Sequence, residues 1–97
     1  MPVGVVFMQH GLWGRAVDLI NLAEGLRNKY ECHCLLLDNN VGKTTQGILK
    51  CGRRARDVIK DVCDNLDAGS KVSFVGHSLG GLILLQALNL ILHVTTC

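Results

Sequence analysis

The sequence predicts an α/β fold, with three parallel strands joined by crossover helices and layered helix–sheet–helix. Three observations predict it. Apolar runs alternate with stretches of helical periodicity, the connections between them are short, and the first run is near-continuous, as a strand buried on both faces requires. No repeat, low-complexity tract or linker interrupts the 97 residues, so residues 1–97 read as a single unit.

Each element has its own signal. "VGVVFM", Val3–Met8, is the first strand. From Ala16, the residues Ala16, Leu19, Ile20, Ala23, Leu26 and Tyr30 fall on one helix face. "CHCLLLD", Cys32–Asp38, is the second strand, and the polar "NNVGKTTQG" after it is a loop. A second helix is expected from about Thr45 to Leu66. Its stripe is Ile48, Cys51, Ala55, Val58, Ile59, Val62 and Leu66, with Lys50, Arg54, Asp57, Lys60, Asp61 and Asp64 outward. "NLDAGS" turns the chain into the third strand, "KVSFVG". Leu79–Leu92 is a helix apolar almost all round, which must be covered on several sides.

Composition removes several functions. At 48% hydrophobic and 19% charged, the chain must bury a core and is not disordered. A net charge of +2 with scattered basic residues argues against a nucleic-acid partner. The triplet Arg53, Arg54, Arg56 lies beside Asp57 and Asp61 and reads as a solvated helix face. Met1 and Pro2 lead straight into a strand, so no signal peptide is expected. The longest apolar stretch, "LILLQALNLIL", falls short of the roughly 20 residues a bilayer span needs. The expected location is cytoplasmic or peripheral to intracellular membranes. Five cysteines, Cys32, Cys34, Cys51, Cys63 and Cys97, are an odd number without a secretory signal, so a disulfide framework is not expected. Cys32 and Cys34 face one side of a strand and His33 the other, and no second ligand pair follows, so the thiols read as small hydrophobes rather than metal ligands. Gly42-Lys43-Thr44 resembles the end of a phosphate loop, but the glycine needed at position 37 is a leucine. No metal and no cofactor are expected.

The chemistry concentrates at Gly76-His77-Ser78-Leu79-Gly80, with Gly81 after it. A nucleophilic serine must project from the sheet edge, so strand must become helix within one residue, in a strained backbone conformation. Glycines on either side remove side chains that would collide there. The apolar runs "VSFV" before and "LILLQAL" after supply the strand–turn–helix setting the motif requires. His10-Gly11-Leu12 ends the first strand. Gly11 would let that loop turn tightly enough to aim the Leu12 amide inward, beside the Leu79 amide, as an oxyanion hole.

"HGLWG", the stretch "TTQGILKCGRRARDVI" with Thr45, Gly47, Ile48, Gly52 and Arg54, and "VSFVGHSLGGL" resemble the N-terminal half of an α/β-hydrolase domain, in the lipase-like serine esterase family. The resemblance spans roughly residues 3–88. It implies a partial hydrolase fold with strand order 2-1-3, the Ser78 strand at an exposed side, and hydrolysis of carboxylic esters, lipids among them. Palmitoyl-protein thioesterases carry a similar elbow but resemble the middle stretch less. The family often has an arginine shortly after the last glycine, where this chain continues Leu82-Ile83-Leu84-Leu85.

The rest of a triad is missing from the sequence. In this fold class an acid and then a histidine follow the serine. After Ser78 there is no Asp or Glu, and the one histidine, His93, lies on the same helix some 22 Å away at 1.5 Å per residue. His77 adjoins the serine on a diverging path, His10 is expected to shape the oxyanion loop, and Asp38 reads as a turn residue. The chain therefore reads as a truncated serine ester hydrolase with little turnover of its own, poor solubility and an open sheet edge able to receive a partner protein. A non-catalytic binding or regulatory fragment and an acyl-protein thioesterase-like enzyme are the alternatives.

Overall fold

A computed structural model describes the backbone of residues 4–96 and the side chains of residues 4–91. Val3, the side chain of His93 and the thiol of Cys97 lie outside the described residues.

Three parallel strands, β1 (Gly4–Gln9), β2 (Cys32–Leu37) and β3 (Lys71–Gly76), form one sheet in the order β2-β1-β3. The register runs Gly4 abreast of both Cys32 and Lys71, through to Gln9 abreast of Leu37 and Gly76. Because the strands are parallel, the loops that follow them all leave from one edge of the sheet. That edge carries residues 10–15, 38–47 and 77–78.

Alternation along β1 sorts the core onto two faces. Val5 and Phe7 point to the side covered by α2 (Ile48–Asp64) and α3 (Leu79–Thr96), where they join Cys51, Ala55, Ile59, Ile83 and Ala87. Met8 points the other way and packs with Leu19, Ala23 and Cys34 beneath α1 (Ile20–Lys29). Phe7 is fully buried and its ring stacks on Phe74 with centroids 5.6 Å apart. Burial of such a side chain contributes about 1.5–3 kcal/mol.

The helices differ from the sequence expectation at their starts. Ala16–Leu19 is a 3₁₀ turn before α1, closed by the Arg15 amide donating to Asp18 Oδ2 at 2.9 Å. The expected helix from Thr45 begins as a separate 3₁₀ turn, Thr44–Gln46, and breaks at Gly47, whose φ of 98° no helix accommodates. Arg54 also departs from the solvated face expected of it. It is half-buried and reaches back to Asn40 Oδ1 at 3.3 Å and to Gln46 Oε1. Arg53 and Lys60 do lie in solvent, Lys60 pairing with Asp64, while Arg56 is half-buried and pairs with Asp57.

α3 runs to Thr96, beyond the expected Leu92, and is not covered on all sides. Ile83, Leu84 and Ala87 are buried, while Leu82 and Leu85 remain 51% and 64% exposed. Gln86 lies half-buried against α2. A Cβ on Gly52 would meet Gln86 Cγ at 2.7 Å, which shows how closely the two helices approach. β2 and β3 are both edge strands, and on β3 none of the residues is fully buried. No described helix is long and apolar enough to cross a membrane.

Candidate active site

Ser78 sits where β3 gives way to α3, one residue before the helix begins. Its φ is 56°, in the left-handed region, at a cost of roughly 1–2 kcal/mol for a residue with a Cβ. Its side chain is exposed. The corner is closed by the Gly80 amide donating to His77 O at 2.9 Å and the Gly81 amide to Ser78 O at 3.1 Å. Leu79, the first helical residue, donates to no carbonyl among the described residues, as expected for a helix N-terminus.

Sterics explain the glycines. A Cβ on Gly80 would fall onto the carbonyl oxygens of Gln9 and His10, and one on Gly76 onto the backbone of Gly81. These neighbours are main chain and have nowhere to move. Gly81 is looser, its built Cβ meeting only Gly76 O at 3.9 Å. The loop after β1 packs directly against this corner. His77 donates its amide to Gln9 O at 3.1 Å, which extends the β1–β3 ladder by one step. A Cβ on Gly11 would stand 2.8 Å from His77 O and 3.2 Å from Ser78 Cβ. Gly11 is thus required for space, whereas the sequence reading placed its value in the tightness of the turn. The turn itself falls one step later, from Gly11 to Gly14, whose amide donates to Gly11 O at 2.9 Å. The strained residue within it is Trp13, at φ 58°. Leu12 lies inside this turn, and its amide also has no acceptor among the described residues.

A cavity of about 350 Å³ lies between the two loops, lined by His10, Gly11, Leu12, Asp18, His77 and Ser78 among others. His77 and Ser78 both line this space. A second, apolar hollow of about 400 Å³ lies on the other flank of Ser78, along the open edge, between Phe74 and the leucines of α3.

His10 is 1% exposed and continues the β1 alternation onto the α1 side. Its Nδ1 lies 3.2 Å from Gly11 O. A carbonyl only accepts, so Nδ1 donates this bond, and Nε2 is buried without a partner among the described residues. A buried polar atom left without a partner costs about 1–3 kcal/mol. Gln9 is buried on the opposite face. Its Nε2 donates to His10 O at 3.2 Å and its Oε1 accepts from Asn40 Nδ2 at 3.4 Å. Asn40 is fully buried and donates to Cys51 O at 3.0 Å.

This polar set was not foreseen from sequence, and it braces the loop at 38–47. From that loop the buried Thr44 accepts the Trp13 amide at 2.9 Å and so ties the two loops together. Asp38, expected as a turn residue, accepts the Val41 amide through its carbonyl at 3.1 Å.

Among the described residues no group of three or more His, Cys, Asp and Glu side chains is arranged to hold a metal. The thiols of Cys34 and Cys63 are shifted upward. For Cys34 the causes are burial, then a hydrogen bond and charge from Cys32, opposed by Arg27. For Cys63 they are burial and the adjacent Asp64.

No curated protein and no solved structure matches the chain significantly. Residues 2–96 match the family described as "Putative serine esterase (DUF676)", and the chain belongs to that family.

Proposed function

We propose that residues 1–97 are the nucleophile-bearing part of an α/β-hydrolase domain, a serine ester hydrolase acting on lipid or other carboxylic esters. The observation that carries this reading is Ser78 at φ 56°, exposed at a strand-to-helix corner, in a chain of a serine esterase family. In the proposed reaction Ser78 Oγ attacks the ester carbonyl carbon and the carbonyl electron pair moves to oxygen. The Leu12 and Leu79 amides, with the α3 N-terminus behind them, receive that charge. Collapse of the intermediate expels the alcohol and leaves the acyl group on Ser78, from which water releases it. Gly11, Gly76, Gly80 and Gly81 supply the room for the corner, His10 holds the oxyanion loop, and His77 forms part of the cavity wall.

The serine proton needs an acceptor. No Asp or Glu follows Ser78 in these residues, and His93 is fifteen positions further along α3. The open β3 edge and the exposed Leu82 and Leu85 also favour a second reading, a fragment that binds a partner there without catalysis. A fluorophosphonate probe separates the two. Covalent labelling that Ser78→Ala abolishes supports the nucleophile, and folded protein that resists the probe supports the binding fragment. A nitrophenyl acetate assay tests the missing base. Slow turnover is expected, and serine-dependent rates matching ordinary esterases would overturn it.

A further inference from the structure

The loops at the Ser78 edge of the sheet present apolar side chains to solvent. Trp13 is 74% exposed, Leu12 52% and Val41 38%. Leu12 and Trp13 form the tip of the turn after β1, and Val41 belongs to the loop after β2. The Trp13 amide donating to Thr44 Oγ1 at 2.9 Å joins those two loops. Trp13 holds its outward position with φ 58°, a left-handed conformation that bulky residues rarely adopt. The exposed charges on these loops and on the 3₁₀ turn that follows the first are balanced in sign. Arg15 and Lys43 are exposed on one hand, Asp18 and Asp38 on the other.

We infer that the Leu12–Trp13 tip, with Val41 on the loop that Thr44 ties to it, inserts into a zwitterionic phospholipid surface. A stable protein interface buries about 800 Å² on each partner. Three side chains on protruding loop tips do not supply that area, whereas interfacial insertion needs only a few such groups, and an indole suits the headgroup boundary. The rim of two cations and two anions complements a headgroup that carries both phosphate and ammonium. It offers no net attraction to an anionic leaflet, so the attachment is apolar and insensitive to salt. The contact would hold the mouth of the Ser78 cavity against the lipid. It stands whether or not Ser78 reacts.

Trp13 is the only tryptophan in the chain, so its fluorescence reports on this site alone. The whole chain is titrated with dioleoylphosphatidylcholine vesicles at low and high salt, and with vesicles brominated along the acyl chains. A blue shift at both salt concentrations, with quenching by the brominated lipid, is the expected result. In vesicle flotation, Trp13→Ser lowers the partition coefficient roughly tenfold or more and Trp13→Phe restores most of it. An unchanged spectrum at saturating lipid, or flotation that Trp13→Ser leaves intact, overturns the inference. So does binding that high salt abolishes. A blue shift that follows protein concentration without lipid assigns the patch to a second copy of the chain and likewise overturns it. Failure of the fluorophosphonate reaction, by contrast, bears on the nucleophile alone.

Discussion

Replacing Ser78 by glycine and by alanine separates the strain at the corner from the chemistry. At φ 56°, any residue with a Cβ carries a cost of about 1–2 kcal/mol that glycine does not. Glycine also enlarges the freedom of the unfolded chain, which offsets about 0.4–1 kcal/mol. The difference leaves Ser78→Gly more stable than the parent by about 0.7 kcal/mol. For a domain of this size that is about 3–6 °C in Tm. Ser78→Ala keeps the Cβ and loses an exposed hydroxyl, so its stability should stay within about 0.5 kcal/mol of the parent. Guanidinium unfolding followed by far-UV circular dichroism measures both, and fluorophosphonate labelling should vanish in both. A glycine variant no more stable than the alanine variant would refute the claim that the corner is strained.

Gly80→Ala drives a methyl group onto the Gln9 and His10 carbonyls, which cannot swing aside. It should lower the unfolding free energy by about 3 kcal/mol, and a loss under about 1 kcal/mol in a urea titration would contradict the packing described. Thr44→Val keeps the side chain's shape but strips the Trp13 amide of its acceptor. A cost of about 1–2 kcal/mol is expected, along with slower Ser78 labelling that Thr44→Ser restores; an unchanged labelling rate would show that Thr44 does not steady the loop after β1. Cys34 and Cys63 bind their protons more tightly folded than unfolded. Their contribution is therefore full below the unfolded thiol pKa and is lost as pH rises through the folded values. Stability measured from pH 7 to 10 should fall at the alkaline end, and the fall should shrink in a Cys34→Ala, Cys63→Ala double variant.

The sheet was legible because each strand carries a compact signal. Lys71–Gly76 matches the third strand residue for residue, and Val5, Phe7 and Met8 announced a strand buried on both faces. The Ser78 corner was legible because glycines at 76 and 80 can be tied to a collision before any coordinate is known. The tie between the loops was not. Thr44, Asn40 and Gln9 are short polar residues whose partners stand up to 31 positions away, and nothing in local periodicity marks them as buried. Asp18 was hidden in the same way. Read along the helix it is an outward residue, yet the 3₁₀ turn and the short loop place it at the cavity. Arg54 was misassigned because a helix wheel knows only its own helix, and the half-buried guanidinium is spoken for by the loop between β2 and α2.

Among the described residues, Trp13 and Ser78 are the non-glycine positions with positive φ. Both belong to the loops that frame one cavity. A fold that needed only the two turns could place glycine or asparagine at each and shed the strain. Keeping an indole and a hydroxyl there costs together an appreciable part of the 5–15 kcal/mol that typically separates folded from unfolded chains. The surroundings hold both in place, Trp13 through Thr44 and the Gly11–Gly14 turn, Ser78 through the backbone packed around Gly80. Backbone strain confined to two residues, Ser78 on the cavity wall and Trp13 on the loop that borders it, and braced from two sides, points to what their side chains touch outside the protein rather than to the fold that carries them.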